Sequence, residues 1–366
     1  MTDQVNRDVI LKREFKERKD KIRDYLASEE YARYFVPQHI HDSVYSYISL
    51  GGKSLRPIVL LLSCGAVGGD EKKAMPAAAA IEVFHTWTLV HDDIIDRDEK
   101  RRGNPTLHEE FRKRAIRELG YDEDYAKHYG TSIAILAGDI QQGWSVSLLC
   151  ELYTKQNLNP ALVLYLINNL KMKVQCTLVE GETLDIQYSK VPIESLDESA
   201  IVDMLWRKTG VLYEFAGRAG AMIGLNSHYP DHKLVETVAA FTSECGTAFQ
   251  LQDDILGIVG DEELLGKPVG SDVREGKRTT IVYHAFRKAN KAQKAKMLDT
   301  LGNEHATAED IDEVIDLLRQ LGGIKYTKNL ARSYVQRALT YLDDIPQSKH
   351  KYLLAMWAEY MIEREF

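Results

Sequence analysis

Apolar residues in this chain of 366 recur at helical rather than alternating spacing, and only 9 prolines interrupt them. The first segment sets Val9, Ile10, Phe15, Ile22, Tyr25 and Leu26 among charges, as an amphipathic helix does. Gly51-Gly52 then breaks the pattern, and Pro57 stands early in the next apolar run. From about Met75 to Asp96 the chain is apolar on nearly every face until it ends in acids, which places that helix in an interior. Further helical runs lie at 131–153, 160–188, 197–224, 231–259, 281–301, 307–343 and 347–364. The charged stretch 109–130, with partial helix, and the glycine-rich 260–278 read as longer loops. No repeat of 20–50 residues and no low-complexity tract occurs. The pattern predicts an all-α fold, a single domain over 1–366 built as a bundle of roughly ten or more helices around a central cavity.

Charge narrows the functions available to such a bundle. Lysine and arginine number 47 and aspartate and glutamate 55, a formal balance of −8 with a pI near 5.8. That balance argues against nucleic acid as a partner and against binding anionic membrane by bulk charge. A ligand carrying negative charge would need cations gathered locally. The cysteines at 64, 150, 176 and 245 form no CxxC pair, so reduced thiols are expected. The N-terminus is charged throughout, and the nearest approach to a membrane span, 57–67, is too short. A cytoplasmic protein that is not integral to a membrane is the expectation.

Two acidic clusters stand out. His91-Asp92-Asp93-Ile94-Ile95-Asp96 closes the interior helix, with Asp92 and Asp96 four apart on one face, about 6 Å along the axis. Acids at a helix C-terminus oppose the helix dipole, so a cation must compensate them. Carboxylates that share a cation with a phosphate suit Mg²⁺. Gln250-Leu251-Gln252-Asp253-Asp254 repeats the arrangement at the end of another apolar helix, 161 residues after Asp92. One such cluster is compatible with a solvated helix end; its recurrence after a second buried-type helix argues for a facing pair of metal sites.

The basic clusters are equally local. Gly51-Gly52-Lys53-Ser54-Leu55-Arg56-Pro57 brings an ammonium, a guanidinium and helix-start amides to one turn, a plausible diphosphate grip. Arg101-Arg102-Gly103 follows Asp96 by five residues. Lys208-Thr209-Gly210 lies inside a helical run where Thr and Gly invite a kink. Lys267 and Lys277 occupy the glycine-rich loop. Each alone reads as a solvated surface charge; together they supply two anion grips around a metal cluster.

These residues resemble the trans-isoprenyl (polyprenyl) diphosphate synthases, short-chain type. The likeness runs from GGKSLRP (51–57) to GKRTT (276–280) and includes EVFHTWTLVHDDIIDRDEKRRGNPTLH (82–108), LAGDI (136–140), GETLD (181–185), KTG (208–210), FQLQDDILGIVGD (249–261) and GKPVGSDVREGK (266–277). It implies an isoprenoid synthase fold, a homodimer, and a transferase that joins isopentenyl diphosphate to an allylic diphosphate (dimethylallyl, geranyl or farnesyl). By the same resemblance Asp92 and Asp96 bind two Mg²⁺ and Asp253 a third. Arg101, Lys208, Thr209, Gln250, Lys267 and Lys277 hold the allylic diphosphate, and Lys53, Arg56, His85 and Arg102 hold isopentenyl diphosphate. Lys208, Thr209 and Gln250 would also steady the allylic cation.

Departures from the family pattern leave questions for the structure. The second motif has Gly257 where a third aspartate is common, Glu182 replaces a frequent glutamine, and the segment between His108 and Ile133 looks long. Product length should follow from Phe84, Trp87 and Thr88 beneath Asp92. Bulk at Trp87 resembles geranylgeranyl (C20) synthases, while farnesyl (C15) enzymes often carry an aromatic at the place of Thr88. C20 is expected, with C15 or a mixture as the alternative. A class I terpene cyclase shares the metal motif but has no use for a second diphosphate grip. A non-catalytic partner subunit would show eroded acidic motifs, and here they are present.

Overall fold

A computed structural model describes residues 2–260 and 270–363, and most of them are helical. In chain order the helices are α1 (Thr2–Leu26), α2 (Glu29–Ala32), α3 (Gln38–Leu50), α4 (Leu55–Ala66), α5 (Glu71–Ile95), α6 (Leu107–Arg114), α7 (Glu123–Thr154), α8 (Pro160–Asn168), α9 (Gln175–Tyr188), α10 (Glu198–Leu205), α11 (Val211–Leu225), α12 (Lys233–Val259), α13 (Ser271–Glu275), α14 (Thr280–Lys288), α15 (Lys291–Thr300), α16 (Ala308–Gln320), α17 (Gly323–Tyr341) and α18 (Lys349–Glu363). The chain divides into two compact units: 1–167 with 218–230 and 348–353, and 168–217 with 231–347 and 354–366.

In the first unit α4 and α5 form the interior. Every residue of α4 except Arg56 is buried, and α5 buries Ala77 through Ile81, Val83, Phe84, Trp87 and Val90. An all-round apolar helix has no solvent face to offer, so it is covered by neighbours, here α4 and α7. Burial of each large side chain such as Phe84 contributes about 1.5–3 kcal/mol. The N-terminal helix packs by a different register than its apolar residues suggest. Val9 is exposed, and the buried stripe runs Leu11, Glu14, Arg18, Ile22, Leu26. Arg18 explains the shift: its guanidinium is bonded to Glu14 and, through two bonds of 2.9 and 2.6 Å, to Glu71 of α5.

The stretch 109–130 is helix rather than loop. α6 continues through a π-helical turn, Ala115–Leu119, to Gly120, and Asp122 caps α7 by accepting from the Tyr125 amide. The charges that suggested a loop are its outer face; Leu107, Phe111 and Ala115, four apart, are its buried one. The one departure from all-helix among the described residues is a minimal hairpin, β1 (Lys100–Arg101) paired with β2 (Asn104–Pro105). Its turn residues Arg102 and Gly103 both have positive φ, 52° and 77°, as a tight two-residue hairpin requires.

In the second unit α12 is the long interior helix, with α17 alongside. The cluster Ile255, Ile258, Ile281, Val282, Phe286, Ile311, Val314 and Leu318 ties α12 to α14 and α16. The run expected over 281–301 breaks at Asn290, which forms a capping box with Gln293; that over 307–343 breaks at Gly322, φ 81°. The four cysteines are free thiols, and no helix among the described residues is long and apolar enough to cross a membrane.

Candidate active site

The first acidic motif sits on the last turn of α5, where Asp96 is the C-cap. Asp92 and Asp96 are both half-buried, and each offers a carboxylate oxygen within 4.8 Å of the other's. Two oxygens that close need draw together only slightly, to about 4.2 Å or less, to share a divalent cation bound at about 2.1 Å from each. Asp93 faces the other way and is fully buried. It accepts the Tyr47 hydroxyl and a forked pair of bonds from Arg101, Nε at 2.8 and 2.9 Å and Nη2 at 2.5 Å. Burial works against the Arg101 charge, but the bonds and charge of Asp93 outweigh it and raise the guanidinium pKa. Arg101 Nη2 also reaches to 3.4 Å from Asp92. The hairpin positions it there.

The residues expected to grip an anion lie within the same unit. Ser54, with φ 47°, turns the chain into α4, so Lys53 and Arg56 stand at a helix start. Arg56 Nη1 donates to His85 Nε2 at 3.0 Å, and His85 Nδ1 lies 3.2 Å from the Thr88 hydroxyl. That network assigns His85 the tautomer with its proton on Nδ1. Burial, reinforced by the charges of Arg56, Arg102 and Arg101, holds its pKa well below the ordinary value, so the ring is neutral. Arg102, leaving the hairpin opposite to Arg101, donates to the Gly51 carbonyl. A Cβ on Gly52 would lie 2.7 Å from Arg102 Nη1, so a larger residue there would displace the guanidinium. Glu82 accepts from Ser54 at 2.7 Å while its Oε2 is out of water and has no hydrogen-bond partner among the described residues. Burial raises its pKa; the Ser54 bond and the charges of Arg56, Arg102 and Lys19 oppose the rise.

The second unit holds the other motif. Trp206–Gly210 is a π-helical turn, the local irregularity that Thr-Gly suggested, and it turns Lys208 toward α9. Lys208 Nζ lies 2.7 Å from Asp185 and 2.9 Å from Glu182, one helical turn apart on α9. Gly181 permits this approach, since a Cβ there would meet the Lys208 amide at 2.3 Å. Thr209 donates its hydroxyl to Gln250 Oε1 at 2.6 Å, and Gln250 Nε2 donates to Asp254 Oδ1 at 2.9 Å. Asp253 is half-buried on the next face of α12, whereas Asp254 is buried, with no hydrogen bond to its Oδ2 among the described residues. Burial first, then repulsion from Asp272, pushes the Asp254 carboxyl well above the ordinary range. A Cβ at Gly257 would sit 2.9 Å from Asp272 Oδ2, so another carboxylate already borders the place of the missing third aspartate. Lys277 pairs with Glu275 at 2.6 Å and lies 3.8 Å from Asp272. Lys267 lies outside the described residues.

Beneath the first motif, Phe84 and Trp87 pack edge to face at 5.1 Å, and Trp87 Nε1 donates to His91 Nδ1 at 3.1 Å. His91 fits because residue 138 of α7 is glycine; a Cβ there would be 2.1 Å from its Nε2. Thr88, expected as a lining residue here, spends its hydroxyl on the His85 ring and carbonyl. Sequence reasoning named Asp93 and Asp254 only as members of their clusters and gave no role to Tyr47, Glu82 or Asp185. Asp93, Asp185 and Asp254 hold Arg101, Lys208 and the Gln250 amide, while Tyr47 donates to Asp93 and Glu82 accepts from Ser54. Asp185, three residues after Glu182 on one helix, was the most findable; the rest are tertiary partners.

Each unit thus presents paired carboxylates, cations locked by buried acids, and a glycine turn or π-turn that brings backbone close to them. The sequence profile described as Polyprenyl synthetase matches residues 37–318. The chain belongs to the polyprenyl synthetase family. It is a prenyltransferase with the all-α isoprenoid synthase fold. It is 35% identical over 330 residues to a geranylgeranyl diphosphate synthase of Methanosarcina mazei, covering 90% of this chain and 91% of that one. Its fold superimposes on geranylgeranyl pyrophosphate synthetase from Pyrococcus horikoshii with a TM-score of 0.80 at 30% identity, covering 98% and 99% of the two chains. A Corynebacterium glutamicum geranylgeranyl pyrophosphate synthase, solved with isoprenyl diphosphate and magnesium, gives 0.83 at 25% identity over 97% of this chain and 99% of that one.

Proposed function

We propose that the protein condenses isopentenyl diphosphate with allylic diphosphates to make geranylgeranyl diphosphate, acting as a homodimer with three Mg²⁺ per active site. The observation that carries this reading is the cation grip of Lys53, Arg56 and Arg102 around the Gly51–Gly52 turn. It is built without the carboxylate pair and therefore suits a diphosphate that is held but not cleaved. A cyclase, with one diphosphate to bind, has no need of it. The family match spanning 37–318 supports reading the whole as one catalytic domain.

Mg²⁺ held by Asp92, Asp96 and Asp253 would supply charge neutralisation for the leaving diphosphate. The rest falls to side chains. Arg101, Lys208, Lys267 and Lys277 hold the allylic diphosphate, and as its C–O bond breaks they stabilise the charge gathering on its oxygen. Thr209 and Gln250, fixed through Asp254, turn oxygen atoms toward the allylic cation. Lys53, Arg56, Arg102 and neutral His85 anchor isopentenyl diphosphate so that its double bond attacks that cation. Loss of a proton to the released diphosphate completes the bond. Chain growth stops against Phe84 and Trp87.

Incubation with Mg²⁺, isopentenyl diphosphate and each of the three allylic primers, followed by product sizing, tests the reading. A C20 product is expected, and absence of elongation with every primer overturns it. Trp87→Ala is expected to lengthen the product beyond C20; an unchanged length profile removes Trp87 from the stop.

A further inference from the structure

The turn that forms the isopentenyl diphosphate grip has a fourth cation beside it. Lys19 of α1 places its Nζ 3.7 Å, and its Cε 4.0 Å, from the point a Cβ on Gly51 would occupy. The Arg102 guanidinium stands in the corresponding place at Gly52. Lys19 and Arg102 therefore both border the turn, one in contact range of Gly51 and the other close against Gly52, and Gly51 at φ 73° offers its carbonyl to Arg102 as well. Lys19 is half-buried and forms no ion pair or hydrogen bond among the described residues. Its sequence neighbour Asp20 is committed elsewhere, to Lys16 at 3.0 Å and Arg23 at 3.1 Å.

The position of Lys19 is imposed by packing. Arg18, buried one residue earlier, is clamped to Glu14 and Glu71, which fixes the rotation and register of α1 against the start of α5. Glu71, Glu82 and His85 lie along that same helix, so the clamp and the grip share one rigid element. The Glu82 carboxylate responds to Lys19 together with Arg56 and Arg102. Lys53, Arg56 and Arg102 against Glu82 leave a formal charge of +2, and Lys19 raises it to +3. A monoalkyl diphosphate carries about −3 near neutral pH, its last ionisation lying near 6.

We propose that Lys19 is a further binding residue for the diphosphate of isopentenyl diphosphate, contributed by the N-terminal helix. The proposal rests on the reading of the Lys53–Arg56–Arg102 turn as that diphosphate's site. The test measures isopentenyl diphosphate binding by titration calorimetry without Mg²⁺ or allylic substrate, and KM for both substrates in the full reaction, on Lys19→Ala, Lys19→Arg and Arg56→Ala. Lys19→Ala is expected to weaken isopentenyl diphosphate binding about five- to tenfold, with the allylic KM within twofold of the parent. The loss should shrink as salt rises from 0.05 to about 0.5 M, and Lys19→Arg should restore most of it. Thermal melts of the variants separate binding loss from unfolding. If Arg56→Ala weakens binding and Lys19→Ala does not, Lys19 is not part of the site. If Lys19→Ala raises both KM values alike, the lysine acts on the fold and the proposal falls. If Arg56→Ala itself leaves binding unchanged, the reading of the turn fails, and the proposal with it.

Discussion

Asp93 and Asp254 hold the same place in their two motifs, second in each aspartate pair, and both are buried, yet their surroundings are opposite. Asp93 is neutralised inside its own unit, with the Arg101 guanidinium forked across both oxygens and the Tyr47 hydroxyl on Oδ2. Asp254 has an amide on one oxygen, none among the described residues on the other, and acids (Asp272, Asp185, Asp253) as the charges that act on it. The nearby Lys208 is already held by Asp185 and Glu182. The first motif therefore arrives with its central acid satisfied and uses that acid to aim an arginine. The second arrives with surplus negative charge and calls for an external cation.

The largest expected effect breaks the balanced half. Asp93→Ala leaves the Arg101 guanidinium and the Tyr47 hydroxyl without their partner in a buried place. Removing one member of a buried pair costs about 3–5 kcal/mol, and that loss should appear in urea unfolding without metal. Asp92→Ala, one residue earlier but half-exposed, should abolish activity while leaving urea stability nearly unchanged. Equal stability of the two variants would mean that the Asp93–Arg101 pair contributes nothing.

A second expectation uses pH, because an acid paired with cations and an acid buried without one respond with opposite sign. Glu71, bonded to Arg18 and His350, keeps a carboxyl pKa of about 2 against an ordinary 4.5: burial alone would raise it, and these partners win. A depressed carboxyl contributes stability that is present above 4.5 and lost as pH falls from about 4.5 to 2, here about 3 kcal/mol. Asp254 is raised, so its contribution runs the other way: it favours the folded state more as pH falls below its folded pKa. Glu71→Gln should flatten the acid limb of the stability–pH curve, read by urea midpoints at successive pH values. A curve unchanged in Glu71→Gln assigns acid lability to other groups.

Much of this was legible in the chain. The helical runs 160–188, 197–224 and 231–259 emerge within a residue or two of their ends, because apolar periodicity is a local property. The carboxylate pair, the glycine turn and the Lys208 kink were legible for the same reason, being spacing on single elements. What stayed hidden depends on contact across the fold. Arg18 looked like a surface charge on an amphipathic helix, but Glu71, 53 residues away, makes it the residue that sets the helix register. Charges over 109–130 suggested a loop because their buried partners Phe111 and Ala115 were few. Arg102-Gly103 carried a hairpin signal too short to weigh against helix on either side.

The smallest expected effect sharpens the contrast on the side of Asp254. Asp254→Asn keeps an oxygen to accept the Gln250 amide, so the link from Gln250 to Thr209 survives, but it removes the charge. At neutral pH the parent either buries an anion among acids or takes up a proton that the unfolded chain does not hold. Both cost free energy, and the cost increases with pH between 3.8 and the raised folded value. The variant should therefore be more stable than the parent in EDTA by about 1–2 kcal/mol at pH 7, with the difference vanishing below pH 4. With Mg²⁺ and an allylic diphosphate present the order should invert, because the cation then rewards the parent's negative charge. A variant no more stable than the parent without metal would show that Asp254, like Asp93, already has a cation of its own.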